Sequence, residues 1–212
     1  RYKTPVEVYL EKIGEAEPEP ENDAMHFGKI LEAVVADEFA LRNKTKLRRV
    51  NVTVRHKEHP FLIAHPDRMI ANGVGLECKT AGRWYKYEDW GPSDSDQVPV
   101  EYLLQCQHYM AVTGKPGWFL AVLLAGNEYR QYYVPRSEEI INSLIEKELA
   151  FWERVQTRNA PPPTNPFDAS LLHPRDRGAS VLASGEASAA ILELHNLARE
   201  QKALEAREKE LK

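Results

Sequence analysis

A chain of 212 residues with 42% apolar residues is long enough to bury one sizeable core and too short for two full domains of average size. It has no apolar run of the roughly 18 residues that a membrane span requires, and residues 1–5 lack the apolar stretch of a signal peptide. We therefore expect a cytoplasmic protein with no membrane partner.

The two cysteines, Cys78 and Cys106, do not form a CxxC pair. Their separation argues against a zinc site and excludes an all-cysteine iron–sulfur cluster, so we expect two reduced, buried thiols. The net charge of -4 counts against a nucleic-acid partner, because phosphate binding draws on Lys and Arg. That objection weakens if acids cluster away from the site, as in residues 15–23, or hold a metal.

Two helices are predicted at the start of the chain. Apolar spacing predicts a helix over Pro5–Ile13, ended by Gly14, and a second helix that Asp23 caps and that runs to about Leu41. The second helix is expected to bury a stripe at helical period, with Glu32 on its flank; the stripe consists of Phe27, Ile30, Leu31, Val34 and Phe39.

Strand patterns follow from Leu47 to Thr80, where valines alternate with polar residues and glycines mark a turn. We expect three or four strands in a meander, followed by a loop over residues 83–99 that covers the site. The remaining predicted elements are a helix over Val100–Thr113 closed by Gly114, a hairpin of Trp118–Leu124 with Glu128–Val134, and a helix over Ser137–Arg158.

Three segments divide the chain. A main domain is predicted over residues 1–160, a connector rich in Pro, Ser and Arg over 161–185, and a C-terminal helix over 186–212. In the last segment Ala190, Leu197, Leu204 and Leu211 are spaced by sevens, although companion positions carry polar residues. Both a short coiled coil and a single helix remain open.

The residues with most chemical content are His65-Pro66-Asp67 and, further along, Glu77-Cys78-Lys79. Side chains of a strand alternate between faces, so Glu77 and Lys79 are expected to share a face while Cys78 points to the other. A hairpin turn at residues 72–75 would bring Asp67 back beside this strand. Two carboxylates and an amine are therefore expected to lie together.

Paired carboxylates with a nearby backbone carbonyl are the hard oxygen ligands that Mg²⁺ prefers. Such a site suits phosphodiester hydrolysis, with Asp67, Glu77 and the Cys78 carbonyl as ligands and Glu32 as a further ligand, direct or through water. Lys79 would orient or deprotonate the attacking water or stabilise charge. Mn²⁺ is the alternative ion, because it accepts the same oxygen ligands.

A Glu-x-Lys pair on a strand is more often a solvated face with a weak ion pair. Two features favour the catalytic interpretation. The Glu77 strand lies next to a Gly-rich turn, and the helix predicted over 100–113 is unusually polar and aromatic, with Tyr102, Gln105, Gln107, His108 and Tyr109.

The ordered set Gly28 to Glu32, His65-Pro66-Asp67, Leu76 to Lys79 and Gln105 to His108 resembles the YqaJ-like viral recombinase family. This family is related to phage lambda exonuclease and belongs to the PD-(D/E)XK superfamily. The resemblance covers Tyr2 to Arg158. It implies an α/β (α+β) restriction-endonuclease-like fold, a mixed central sheet flanked by helices, here with a C-terminal helical extension.

The resemblance also implies function. The metal site would be carried by Glu32, Asp67, Glu77 and Gln105, with Lys79 as the water-activating residue. The activity would be a metal-dependent 5'-to-3' exonuclease acting on the ends of linear double-stranded DNA. Relatives form trimeric rings and work with a single-strand annealing protein in phage recombination, so a homo-oligomer and such a partner are expected.

Family members usually carry a segment before the first helix that helps to hold the 5' phosphate, and this sequence begins at Arg1 without it. Either this sequence omits that segment, or the polarity of digestion is set by something else. Two other functions also remain open: a restriction-like or structure-specific endonuclease with the same site, and a DNA-binding subunit without catalysis.

Basic and aromatic residues near the proposed site are candidates for DNA contact, because cations bind phosphates and rings stack on unpaired bases. The alternative for the aromatic residues is closure of the core. The candidates are Arg48, Arg49, Arg55, Arg83, Trp84 and Lys86.

Overall fold

The structure is a computed structural model that describes residues 3–17, 19–71, 73–82, 87–174 and 182–211. The chain divides into two compact units, residues 1–162 and 163–212. The first unit contains α1 (Pro5–Lys12), α2 (Asp23–Arg42), β1 (Leu47–Arg49), β2 (Val54–Arg55), β3 (Ile63–Ala64), β4 (Arg68–Ile70), β5 (Gly75–Ala81), a 3-10 turn (Tyr87–Asp89), α3 (Val100–Thr113), β6 (Gly117–Leu124), β7 (Glu128–Pro135) and α4 (Glu138–Gln156).

A five-stranded mixed sheet forms the centre of the first unit, with strand order β1-β4-β5-β6-β7. Only the β5–β6 pair is parallel, and α3 makes the crossover between these two strands. Alternate residues of β6 face opposite layers: Leu120 and Val122 pack with residues of α3, and Ala121 packs with residues of α2. The predicted mixed sheet flanked by helices is confirmed.

The prediction of one meander over residues 47–80 is wrong in its pairing. The strands β2 and β3 form a separate two-stranded sheet, whereas β1 pairs with β4 across the main sheet. Ala64 of β3 packs in a small core with Leu62 and with Val112 of α3. Alternation of apolar residues indicates that strands form, but it does not specify which strand each will pair with.

The predicted buried stripe of α2 is largely wrong. Its fully buried residues are Val35, Ala36 and Phe39, all in the second half of the helix, where it packs against Leu76 and Cys78 of β5. Three of the predicted residues that precede Val35, namely Phe27, Ile30 and Val34, are 55%, 51% and 53% exposed. The helix is capped by Asn22 rather than Asp23: the Asn22 side chain accepts a hydrogen bond from the Met25 N–H at 3.0 Å.

Several predicted element boundaries agree with the structure. Helix α3 spans the predicted residues, and Gly114 ends it in the left-handed conformation, with φ of +69°. Ser137 caps α4 through its side chain. Cys78 and Cys106 are free and buried, as expected.

A glycine is required at the start of β5. A Cβ atom on Gly75 would lie 2.1 Å from the Trp118 ring, which is completely buried beside it on β6. The absence of a side chain at Gly75 therefore leaves room on β5 for the ring of Trp118, the largest fully buried side chain, to pack against the paired strand.

His108 joins three elements of the first unit. Its Nδ1 lies 2.7 Å from the Glu148 carboxylate on α4, and its Nε2 lies 2.9 Å from the Ile63 carbonyl on β3. Burial alone would lower the pKa of His108, but the hydrogen bonds and charge of these two acceptors outweigh it, so the pKa is raised above its usual value. The imidazolium, whose charge the Glu148 carboxylate attracts, is the form that this environment favours.

We expect this contact to stabilise the fold most at low pH. Since the folded-state pKa is raised, the contribution is complete below the ordinary value of 6.5 and is lost as pH rises through the folded-state pKa. His108→Gln should cost about 1–2 kcal/mol of unfolding free energy at about pH 5.5–6, and the deficit should shrink at alkaline pH. Denaturant unfolding across this range measures it; a deficit that grows with pH would contradict the assignment.

The second unit contains α5 (Pro166–Leu172) and α6 (Gly185–Leu211). The first of these is a short helix inside the predicted connector, capped by the Asn165 side chain and begun by Pro166. Helix α6 has no buried residue, and its leucines, including Leu197 and Leu204, are 55% and 71% exposed. The coiled coil stays a prediction. Among the described residues, no helix is long and apolar enough to cross a membrane.

Candidate active site

Asp67 and Glu77 are brought together by the β4–β5 hairpin. Arg68 and Leu76 are directly paired in this antiparallel ladder, so the residues just outside the pair, Asp67 and Glu77, lie across from each other. The Asp67 Oδ2 atom accepts a hydrogen bond from the Cys78 N–H at 2.8 Å. This bond fixes the Asp67 carboxylate against the backbone of the strand that carries Glu77.

Glu77 is held by two donors on one oxygen. Its Oε1 accepts from Lys79 Nζ at 2.6 Å and from Gln105 Nε2 at 2.8 Å. Lys79 is two residues further along β5 and therefore on the same face, and Gln105 extends from α3, which covers that face. The structure thus brings together Asp67, Glu77, Lys79 and Gln105, four of the residues singled out from the sequence.

Burial determines the ionisation of the two carboxylates. Burial raises the pKa of Glu77 to about 7, although Lys79 opposes the shift, and repulsion by Asp67 adds to it. Burial also raises the pKa of Asp67, the Cys78 N–H partly offsets this effect, and the charge of Glu32 raises the pKa further. The positive charges nearby do not cancel the cost of burial at either carboxylate, and a further cation near both would relieve that cost.

Lys79 keeps its proton in this arrangement. Burial alone would lower the pKa of its amine, but the attraction and hydrogen bond of Glu77, with the charge of Asp67, outweigh it and raise the pKa. The amine also lies 5.3 Å from the centre of the Tyr102 ring. A protonated amine donates hydrogen bonds and carries positive charge. Of the roles considered from the sequence, orientation of a water and charge stabilisation therefore fit better than proton abstraction.

The donor set fits a hard divalent cation. Glu77 Oε2 is buried and has no hydrogen-bond partner among the described residues, which leaves one carboxylate oxygen beside Asp67 for a ligand. The described residues contain no group of three or more His, Cys, Asp or Glu side chains able to hold a metal by themselves. Two carboxylates with several retained waters is the usual arrangement for Mg²⁺, which dehydrates reluctantly.

Glu32 lies at the edge of this group. Its Oε1 accepts from Arg68 Nη1 at 2.6 Å, and the same nitrogen donates to the Asp67 carbonyl at 2.7 Å. Because Arg68 already holds Glu32, contact with a metal through a bridging water fits this geometry better than direct ligation.

Three residues of the site were not assigned a role from the sequence. Arg68 links Glu32 to Asp67, Tyr102 faces Lys79, and the Tyr109 hydroxyl accepts from Gln105 Nε2 at 3.0 Å. The polar, aromatic character of the helix sequence was a signal for Tyr102 and Tyr109. For Arg68 the only signal was its place directly after Asp67.

The DNA-contact candidates occupy different surroundings. Arg48 and Arg49 are exposed on β1, whereas Arg55 donates to the Pro60 carbonyl at 3.0 Å while remaining exposed. Arg83, Trp84 and Lys86 lie outside the described residues.

Comparison with known proteins identifies relatives of this chain. It is 36% identical to the uncharacterized protein YqaJ of Bacillus subtilis (strain 168) over 167 residues, 76% of this chain and 51% of that protein. It is 30% identical to the uncharacterized protein R354 of Acanthamoeba polyphaga mimivirus over 123 residues, 53% of this chain and 22% of that protein. The chain thus spans about half the length of the first relative and less than a quarter of the second.

Solved structures share the fold. The alkaline exonuclease LHK-Exo from Laribacter hongkongensis superposes with a TM-score of 0.61 at 18% identity, covering 73% of this chain and 79% of that one. Its complex with dAMP superposes with the same TM-score, 0.61, at 19% identity and the same coverage. The YqaJ-like viral recombinase domain matches residues 1–116, which contain both strands of the carboxylate pair and the helix that carries Gln105. This chain therefore belongs to the YqaJ-like viral recombinase family.

Proposed function

We propose that this chain is a metal-dependent nuclease that hydrolyses phosphodiester bonds of linear double-stranded DNA from its ends, in the 5'-to-3' direction. The observation that carries the proposal is the buried pair Asp67 and Glu77 beside the protonated Lys79, with Glu77 Oε2 free to bind a ligand. The alkaline exonuclease of the same fold supports an exonuclease activity, and its complex with dAMP supports a mononucleotide as product.

Asp67 and Glu77 would hold the ion, with the carbonyl of Cys78, the residue after Glu77, as a further ligand and with Glu32 acting through water. A bound Mg²⁺ supplies acidification of a coordinated water and neutralises charge on the phosphate. We propose Mg²⁺ as the working ion and Mn²⁺ as its substitute, since both accept these oxygen ligands.

The other side chains orient the reacting groups. Lys79 donates hydrogen bonds toward the carboxylate face, where an attacking water or a phosphate oxygen would lie, and its positive charge favours the more negative transition state. Gln105 holds Oε1 of Glu77, which leaves the buried Oε2 for the ion, and the Tyr109 hydroxyl in turn accepts from Gln105. Arg68 keeps Glu32 near Asp67.

The wider role that we propose is end resection in phage-type recombination, with a single-strand annealing protein as partner and a trimeric ring as the assembly. These features rest on family membership. Size-exclusion chromatography with light scattering checks the assembly: a mass of three chains is expected, and a monomer at all concentrations would contradict the ring.

Substrate topology tests the function most simply. Linear and closed circular duplexes of the same sequence are incubated with the protein in Mg²⁺, with and without a 5' phosphate on the linear form. We expect loss of the linear substrate alone and no reaction in EDTA. On the linear duplex, a label at the 5' end should be released before a label at the 3' end of the same strand. Cutting of the circle would instead assign an endonuclease. Binding without cutting would assign a DNA-binding subunit.

A further inference from the structure

A basic concavity lies on the first unit at the end of the β4–β5 hairpin opposite Asp67. It has a volume of about 350 Å³, and its charged lining residues are Lys46, Arg48 and Lys115. No described residue that lines it is acidic. In a chain with a net charge of -4, a concavity lined by three cations and no acid points to an anionic ligand.

The three cations come from separate parts of the chain. Lys46 and Arg48 flank the first residue of β1, and Lys115 lies in the turn between α3 and β6. The Lys115 amine lies against the hairpin turn, 3.4 Å from where a Cβ of Gly73 would be, and Gly73 has a φ of +85°. Within the described part of the chain, none of the three has an acidic partner within ion-pair distance, so their charges are available to a ligand.

Part of the concavity lies on the sheet face that carries the candidate active site. Arg48 is directly opposite Met69 in the β1–β4 ladder, and opposite side chains of an antiparallel pair share a face. Met69 pairs with Gly75 in the β4–β5 ladder, and Glu77 lies two residues beyond Gly75 on β5, so Arg48, Met69 and Glu77 are on the same face. Asp67 directly precedes β4, two residues before Met69. Two residues along a strand and one strand across correspond to roughly 8 Å between the Asp67 and Arg48 backbones.

That separation is short on the scale of a nucleic-acid backbone, because a DNA strand carries one phosphate per roughly 3.4 Å of helix axis. A strand cut at the carboxylates therefore has phosphates within reach of the concavity. We propose that Lys46, Arg48 and Lys115 form a binding site for the backbone phosphodiesters of the DNA within a few nucleotides of the bond that is cut. This inference rests on the proposed function, because it takes DNA as the substrate, and it adds a site for phosphate outside the carboxylate group.

The site accounts for how an acidic protein would hold a polyanion. The carboxylates repel phosphate unless a metal lies between them, whereas the basic concavity attracts phosphate without a metal. Binding to this concavity should therefore persist in EDTA and should depend steeply on salt.

The test is binding of a fluorescein-labelled linear duplex, followed by anisotropy in EDTA over a range of salt concentrations. The triple variant Lys46→Gln, Arg48→Gln, Lys115→Gln is compared with a control triple, Lys12→Gln, Lys147→Gln, Lys202→Gln. The control removes the same charge from exposed sites on α1, α4 and α6. Duplex cleavage by the wild-type protein in Mg²⁺ is measured in parallel, and inorganic phosphate serves as a competitor.

We expect the slope of log affinity against log salt to be less steep by about two to three in the site variant, because each phosphate contact contributes about 0.9. At about 0.1 M salt the affinity should fall on the order of 10- to 100-fold. The control slope should change by less than about one. In Mg²⁺ the variant should show a higher KM for duplex with kcat retained. The exposed single variant Lys46→Gln should lower the slope by about one even if the triple variant folds poorly.

Equal slopes for the wild type and both triple variants would overturn this inference, and if the wild type still cleaved DNA the proposed function would stand. An altered slope in a wild-type protein that does not cleave would have the opposite meaning: the phosphate site would stand and the nuclease would not. Saturable displacement of duplex by millimolar inorganic phosphate from the control but not from the site variant would support the location. Displacement equal in both would count against it.

Discussion

Lys79→Ala is expected to lower the rate of DNA hydrolysis by about 10²–10⁴-fold while leaving duplex binding in EDTA near the wild-type value. Lys79 is the cation in contact with Glu77 Oε1, and its amine is buried on the same face as both carboxylates. Its removal takes away the donor and the positive charge that would act in the transition state. Single-turnover cleavage of a labelled linear duplex, beside anisotropy binding, separates the two effects.

A matched control for this variant is Lys147→Ala, which removes an exposed lysine on α4 and should leave the rate unchanged. Lys79→Arg should recover part of the rate, because it restores the charge with a different shape. A rate within a few-fold of wild type in a folded Lys79→Ala protein would remove Lys79 from the mechanism.

Glu77→Gln is expected to abolish hydrolysis and yet to stabilise the metal-free fold at alkaline pH. Burial raises the pKa of Glu77 from 4.5 to about 7, so the ionised carboxylate is less favourable in the folded state than in the unfolded chain. Wild-type stability should therefore fall as pH rises from about 4.5 through about 7, and the glutamine, which carries no charge, should avoid this loss. The advantage should approach about 3 kcal/mol above pH 8 and vanish below pH 4.5.

Thermal unfolding in EDTA from pH 4 to 9 measures this difference, and Glu146→Gln, an exposed site on α4, is the matched control. The control should change neither activity nor the pH profile. The opposite result would be a variant that loses stability relative to wild type as pH rises from 5 to 9. It would mean that the ion pair with Lys79 outweighs the cost of burying Glu77. A variant that still hydrolyses DNA would show that Glu77 is not needed for catalysis.

The local elements could be predicted closely because their signals are local. Gly114 requires the left-handed conformation that ends α3, and the Ser137 hydroxyl caps α4, so both helices could be placed from a few residues. The turn at residues 125–127 places the β6–β7 hairpin in the same way. The mixed sheet flanked by helices was predicted from the family resemblance, and the structure confirms it.

Long-range pairing could not be predicted in this way. Nothing in the valines near residue 50 indicates that β1 pairs with β4 while β2 pairs with β3. On α2, helical periodicity predicted burial of Phe39 correctly and of Phe27, Ile30 and Val34 wrongly, because the sheet covers only the part of the helix that contains Val35 and Phe39. Periodicity gives the spacing of a face but not how far along the helix a partner extends.

More of the contacts in the candidate site than of the strand pairing could be predicted, because the site residues lie in two short segments joined by one hairpin. Spacing was enough to place Glu77 and Lys79 on one face and to bring Asp67 back beside them. The contact of Arg68 with Glu32 could not be predicted, because it joins a helix to a strand 36 residues away. The raised pKa of Glu77 also depends on burial, which appears only when α3 covers the strand.

The most direct test of the central claim is release of acid-soluble nucleotides from a uniformly labelled linear duplex by the purified chain, in Mg²⁺ and in EDTA. The wild type should release nucleotides in Mg²⁺ and none in EDTA, and Glu77→Gln should release none in either. No release by a folded wild-type chain that binds the duplex, or equal release in EDTA, would contradict a metal-dependent nuclease at Asp67, Glu77 and Lys79.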